Sequence, residues 1–349
     1  MTVTVLQGDC RELLDAMPGA SVQCCVTSPP YFGLRDYGAA GQIGLEPTPE
    51  QYVDQMVAVF RKVRRVLRDD GTLWLNLGGS YASGGRKTHG YDKKLGARAT
   101  RSRPADGAKP KDLLMIPARV ALALREDGWW LRSDIIWAKM NPMPESVTDR
   151  PTCAHEHVFL LTKSPKYFYD AAAIREPLAA SSMVRLSQNV AQQTGSSRAN
   201  GGAKINGPMK AVARTDKQRG HSRRHAGFND RWDSMTKSEQ CANGANARNV
   251  WTIATTPYPE AHFATFPPAL VERCIKAGTR PHDTVLDPFG GAGTTGLAAD
   301  RLQRNAILIE LNPDYVHLAR NRIDADRGPM AALMDGNALP HDPAQKALF

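Results

Sequence analysis

Apolar residues recur with two different periods along the chain, and the alternation of the two organises it. Residues 2–6 alternate as a short strand, Gly8-Asp9 follows, and Leu13, Leu14 and Met17 continue in a helical run closed by Pro18-Gly19. Val22 to Val26, apolar but for Gln23, reads as a buried strand. Thr48-Pro49-Glu50-Gln51 predicts a helix start, with Thr as N-cap, Pro at the first helical position and Gln three residues after the cap. Val53, Met56, Val57, Phe60, Val63 and Leu67 then repeat at helical spacing, and Arg61, Lys62, Arg64, Arg65 and Arg68 fall mostly on the other, solvated face. Asp70-Gly71 is read as the end of that helix, before a strand over 72–77. Further on, the pattern predicts a helix over 113–125, strands around 129–138 and 157–162, a helix over 267–277, a strand over 283–287, a helix over 294–303, a strand over 305–310 and a helix over 313–325. Strands alternating with helices predict an α/β fold, a largely parallel sheet with helices on both faces.

Charge and composition add two interruptions. The 349 residues are 42% hydrophobic and 23% charged, with a net charge of +10, a balance that attracts a polyanion. Lys and Arg concentrate in two weakly hydrophobic stretches, a basic loop at 84–112 and a basic insertion at 178–248, rich in Ser, Gln, Asn, Gly, Arg and Ala. The expected organisation is a first half over 1–177, the insertion over 178–248, a second half over 249–327 and a tail over 328–349. No apolar run reaches the roughly 18 residues of a membrane helix, and MTVTVLQGDC lacks the pattern of a signal peptide, so a cytoplasmic protein without a membrane partner is expected. The six cysteines show no C-x-x-C spacing and are read as reduced thiols. Cys153, His155 and His157 could share one strand face, but no second ligand group lies nearby in sequence, and no metal site is assigned.

Candidate chemistry enters at two strand ends. Thr284 to Gly296 reads as a strand, a glycine loop and a helix start: Asp287-Pro288-Phe289-Gly290-Gly291-Ala292-Gly293-Thr294-Thr295. Glycines allow a tight turn and close approach to a ligand. The next strand ends in Glu310, about 20 residues on, where a dinucleotide-type fold places the acid that accepts from both ribose hydroxyls. No Gly-Lys-Ser/Thr follows, which excludes a P-loop. Asp287 would repel a pyrophosphate and suits a ligand carrying ammonium and sulfonium charges, which points from NAD towards S-adenosyl-L-methionine.

The second strand end is Thr27-Ser28-Pro29-Pro30-Tyr31. Prolines lack the N–H and fix φ, so the carbonyls here are held and left free of ordinary pairing. The Ser28 hydroxyl and a proline carbonyl are two adjacent acceptors, a match for an exocyclic NH₂, and Tyr31 supplies a flat face for a base taken out of its stack.

These stretches resemble the β class of site-specific DNA amino-methyltransferases. Ser28-Pro29-Pro30-Tyr31 is similar to their catalytic S/D-P-P-Y motif. Asp287 to Thr295 resembles the cofactor loop D-P-F-x-G-S-G-T-T, with Ala292 in place of the usual Ser. Phe263 to Pro267, including Phe266, looks like the segment enclosing the methionine end of the cofactor, and Gly8-Asp9 like the acid on its adenosine side. The resemblance implies a Rossmann-like methyltransferase sheet in circularly permuted motif order. Asp9, Phe266, Asp287, Pro288, Phe289, Gly291, Gly293, Thr294, Thr295 and Glu310 would be cofactor-binding residues, and S-adenosyl-L-methionine the cofactor. Hydrogen bonds to Ser28 and a proline carbonyl would orient the amino nitrogen for direct methyl transfer, with no cysteine nucleophile.

Ser at the first motif position favours N4 of cytosine slightly over N6 of adenine. The implied partner is double-stranded DNA, contacted through the two basic stretches. The loop Asn141 to Ser146, with Arg150 beyond, would line the site. A homodimer and a cognate restriction endonuclease are left open. So are an RNA or protein-amide substrate and a non-catalytic DNA-binding module.

Overall fold

Eight strands form one sheet in the order β1-β8-β7-β2-β3-β5-β4-β6 in the computed structural model, which describes residues 1–82, 108–187, 234–236, 239, 243–256 and 266–328. The strands are β1 (Val3–Gln7), β2 (Val22–Thr27), β3 (Leu67–Leu77), β4 (Trp130–Lys139), β5 (His155–Thr162), β6 (Val250–Ile253), β7 (Thr284–Asp287) and β8 (Asn305–Glu310). Pairing is parallel from β1 through β3 and between β4 and β6, and β5 runs antiparallel to both β3 and β4. The described helices are α1 (Cys10–Ala16), α2 (Pro49–Val66), α3 (Ile116–Glu126), α4 (Ala180–Ser187), α5 (Pro268–Gly278), α6 (Thr294–Arg301) and α7 (Pro313–Arg327).

Helices cover both faces, and β2 shows why. Its burial is complete, Val22 to Thr27, and neighbouring side chains point to opposite sides. Cys25 joins the core formed with α1, α2 and α3. Cys24 points the other way, to Gly278 at the end of α5. A Cβ at Gly278 would lie 2.6 Å from Thr72 Oγ1 and 3.0 Å from both Cys24 Sγ and Trp74 Nε1. Gly278→Ala is therefore expected to cost about 1–3 kcal/mol through overpacking, read as a lowered urea midpoint; an unchanged midpoint would mean that α5 can slide.

Helix starts follow the sequence. Thr48 Oγ1 accepts from Gln51 N at 3.2 Å, as the capping pattern requires. Asp9 caps α1, and Asn312 caps α7 by accepting from Asp314 N at 2.9 Å. One boundary differs. Residues 67–71 belong to β3 rather than to the preceding helix, because Leu67 pairs with Val22 in the sheet. Gly71 serves a close approach, not a helix end: a Cβ there would sit 2.8 Å from the Gln23 carbonyl.

The chain divides into two compact units. One comprises Met1–Asp170 and Arg248–Phe349 and holds the whole sheet. The other is Ala171–Ala247, of which α4 and a two-way backbone bridge between Glu176 and Ala245 (2.9 and 2.8 Å) are described. Most of the basic stretches 84–112 and 178–248, the segment Phe263–Thr265 and nearly all of the tail lie outside the described residues. Among the described residues no helix is long and apolar enough to cross a membrane.

In the parallel part, β2 leads through α2 to β3 on one side, while β7 leads through α6 to β8 on the other. The two connections diverge between β2 and β7. A crevice outside the carboxyl ends of strands at such a divergence is where open α/β sheets bind ligands.

Candidate active site

The carboxyl ends of β2 and β7 are bound together by a single carboxylate. Asp287, fully buried at the end of β7, accepts from Thr27 Oγ1 at 2.6 Å, from Thr295 Oγ1 at 2.6 Å and from Phe289 N at 3.0 Å. From the sequence, Asp287 was expected to meet a cationic ligand. Instead its oxygens are spent on the two threonines and the loop, and it does not line the cavity. Gly293 and Thr295 also lie behind the wall. Gly293 holds a left-handed turn (φ 78°) against Ala319, where a Cβ would come within 2.9 Å of the Ala319 methyl. These three residues build the loop; Pro288, Phe289, Gly291 and Thr294 face the cavity.

Burial raises the Asp287 carboxyl from 3.8 to about 6, against the hydrogen bonds that pull it down. Between these values the folded chain binds a proton that the unfolded chain releases, so stability from this group falls as pH rises through the window, by about 3 kcal/mol in all. Asp287→Asn removes the titration and keeps the shape, since an amide nitrogen can donate to Thr295 Oγ1, whose own proton has the Val26 carbonyl within 3.4 Å. Relative to wild type, the variant should gain about that amount of stability between pH 4 and 7 in urea titrations. A flat difference would contradict the buried charge.

The cavity above this joint has a volume of about 400 Å³, within the roughly 300–1,000 Å³ range of ligand sites. At one end stands Glu310. Its Oε2 accepts from Gly291 N and its Oε1 from Asn312 N, both at 2.8 Å, and burial raises its carboxyl above the ordinary range. Each oxygen thus keeps an acceptor position for one of a pair of hydroxyls, which fits a ribose. Tyr37 and Tyr315 meet edge to face at 6.5 Å in the wall beside it, and Phe266 lines the same cavity. Asp9 also lines it. The Arg11 guanidinium holds the Asp9 carboxyl below its usual value, with Nε 2.9 Å from Oδ1, so a ligand would meet an ion pair there.

At the other end are Ser28, Pro29, Pro30 and Tyr31. The Pro30 carbonyl accepts from Tyr52 Oη at 2.8 Å, whereas no donor among the described residues reaches the Pro29 carbonyl. Of the two proline carbonyls, that of Pro29 remains for a ligand. The Tyr31 ring lies against the backbone of Gly78, where a Cβ would be 2.6 Å from Cε2. Its hydroxyl donates to Glu156 Oε2 at 2.6 Å, and burial together with that carboxylate pushes the phenol well above its ordinary value.

Three residues of this cluster escaped the sequence reading. Asn76 Nδ2 donates to Glu156 Oε2 at 2.8 Å and to Tyr31 Oη at 2.9 Å, and lies 3.3 Å from Ser28 Oγ. Lys139 Nζ donates to Glu156 Oε1 at 2.5 Å. Asn76 had a signal: it is the polar residue in the apolar run Leu73–Leu77. Glu156 lies between His155 and His157 on β5, and strand alternation turns it to the opposite face from both. His157 Nδ1 is hydrogen-bonded to Asp134 Oδ1 at 2.9 Å. Asn141 and Met143 line the cavity, and Arg150 is bonded to Glu145 at 2.7 Å and stacks over Tyr81 at 4.0 Å.

Comparison with known proteins gives the family of the chain. Residues 22–321 match a DNA methylase family. The chain is 44% identical to the type II methyltransferase M.Cfr9I of Citrobacter freundii, over 93% of this chain and 88% of the relative. It is 43% identical to M.SmaI of Serratia marcescens, over 91% and 90%. Among solved structures it resembles the cytosine-N4-specific PvuII DNA methyltransferase, with TM-score 0.59 and 20% identity over 96% of this chain and 91% of that one. It also resembles a DNA modification methylase of Thermus thermophilus, TTHA0409, solved with S-adenosyl-L-methionine, with TM-score 0.53 and 24% identity over 94% and 96%. A strand-end acceptor cluster and a glycine loop share one cavity at the divergence of the sheet, and relatives align along nearly the whole chain: the protein belongs to the DNA methylase family, the S-adenosyl-L-methionine-dependent amino-methyltransferases of DNA.

Proposed function

We propose that this chain methylates the exocyclic amino group of a base flipped out of double-stranded DNA, N4 of cytosine before N6 of adenine. The observation that carries the reading is the single cavity with Ser28 and Pro29 at one end and Glu310 with the glycine loop at the other. S-adenosyl-L-methionine, bound at the Glu310 end, supplies an electrophilic sulfonium methyl group.

Ser28 Oγ and the Pro29 carbonyl accept the two amino hydrogens, which orients the nitrogen lone pair towards the Glu310 end of the cavity. Holding the nitrogen there removes much of the entropic cost of a reaction between two substrates. Tyr31, seated against Gly78 and fastened to Glu156, gives the base an immobile neighbour. The apolar wall from Phe289 and Ile309 excludes water. Thr27 and Asp287 join the two ends, so Ser28 and the glycine loop keep a fixed separation.

Preference for cytosine rests on serine at position 28, by the resemblance drawn from the sequence. The type II names of the relatives support a pairing with a restriction endonuclease of the same site, acting in the cytoplasm. The test is methyl transfer from labelled S-adenosyl-L-methionine to mixed-sequence duplex DNA, followed by nucleoside digestion and mass analysis. N4-methylcytosine is the expected product. N6-methyladenine would keep the class and change the base, and label in RNA or protein alone would overturn the reading.

A further inference from the structure

We propose that the Lys139–Glu156 pair fixes the direction of the Ser28 hydroxyl, and through it makes the base pocket select an amino group over a keto oxygen. The inference rests on the reading of Ser28 as the group that meets the base. It follows from counting protons in the cluster. A carboxylate only accepts, and Glu156 Oε1 accepts from Lys139 Nζ at 2.5 Å, a charge-assisted pair. Glu156 Oε2 lies 2.6 Å from Tyr31 Oη, so the one proton of Tyr31 is committed to it. Asn76 must turn its NH₂ to the same oxygen, at 2.8 Å, and its second hydrogen meets Tyr31 Oη at 2.9 Å.

Ser28 Oγ lies 3.3 Å from Tyr31 Oη. Tyr31 has no proton left, so in this contact Ser28 is the donor. The serine proton therefore points along the chain of hydroxyls, and its lone pairs are what a ligand meets. An amino group can donate to them. A keto oxygen would set lone pairs against lone pairs, an unpaired buried contact that sites of this kind reject strongly.

The device is reversible by one isosteric change. In Glu156→Gln, the amide oxygen can keep the Lys139 bond while its NH₂ donates to Tyr31. Asn76 can then flip, because its Oδ1 is a buried acceptor with no partner among the described residues and would take the new NH₂. Tyr31 would then have its proton for Asn76 Oδ1 or for Ser28 Oγ, and Ser28, no longer held as the donor in their contact, would be free to donate to a ligand. Glu156 itself lines the cavity, and in this scheme it is a positioning residue that acts on the amino group through Tyr31 and Ser28.

The experiment compares binding of two duplexes, with S-adenosylhomocysteine present, at the site mapped by methylation. One carries the target base. The other carries its deaminated form, uracil for cytosine or hypoxanthine for adenine. Deamination also weakens the base pair, which eases flipping by a factor common to every variant and cancels in the ratio of ratios. Wild type is expected to prefer the amino base about 100-fold. Glu156→Gln should reduce that preference about tenfold, with the remainder supplied by the Pro29 carbonyl. Tyr31→Phe, which cuts the chain of hydroxyls and keeps the ring, should reduce it similarly and carries the comparison if the first variant does not fold. A purely structural role would weaken both duplexes alike and leave the preference unchanged, which would overturn the proposal. A wild-type protein that methylates no DNA would instead overturn the reading of the site.

Discussion

Ser28→Ala is expected to lower the single-turnover rate of methyl transfer by about 10³-fold while leaving the affinity for S-adenosyl-L-methionine within about twofold. The first figure is the loss typical when one preorganised hydrogen-bonding group at a reacting centre is removed, about 3–4 kcal/mol. The second follows from position. Ser28 stands at the end of β2, and the polar groups at the Glu310 end of the cavity come from β8, the glycine loop and the residues after β1, with the rings of Tyr37 and Tyr315 beside them. Thr27, which holds Asp287, is untouched by the change. Rapid-quench kinetics with saturating DNA, paired with calorimetric titration of the cofactor, separates the two quantities. Full-rate transfer by the variant would remove Ser28 from the chemistry. A parallel loss of cofactor affinity would instead make it part of the sheet joint.

The complementary result is expected at the opposite end. Glu310→Ala should weaken S-adenosyl-L-methionine binding by about 10³-fold, since two charge-assisted hydrogen bonds to a diol are worth about 4 kcal/mol together. The same change strips the acceptors of Gly291 N and Asn312 N, so some loosening of the glycine loop adds to the effect. The control is an analogue lacking one ribose hydroxyl. Wild type should lose affinity for it, whereas the variant should bind both forms alike. If the variant still distinguished them, the ribose would lie elsewhere.

Much of this is legible in the sequence. The capping residues Thr48 and Gln51, the strand–glycine loop–helix at 284–301 and the offset to Glu310 are local patterns, and local geometry follows from them directly. The Ser28–Tyr31 stretch was legible because proline restricts the backbone by itself. What was not legible depends on distant partners. Residues 67–71 changed from helix to strand because Val22 pairs there. Asp287 reads as a ligand contact because it is an acid opening a glycine loop, yet Thr27, 260 positions away, claims one of its oxygens. Lys139 and Glu156 belong to two strands paired antiparallel, and each alone resembles an ordinary polar residue at a strand end. Only the sheet register brings them to Tyr31 and Asn76.

The first strand and the last described helix have a further consequence. β1 pairs with β8, and Arg327, at the end of α7, donates to the Met1 carbonyl at 2.8 Å. Met1 and the end of α7 are thus neighbours. A chain begun at Arg248, carried through Gly328 into Met1 and stopped at Asp170, would trace the same sheet with the glycine loop ahead of Ser28. Motif order along such a chain is a choice of starting point on a nearly closed path. A protein rebuilt that way, with a short polar linker in place of the present break, should keep its active site.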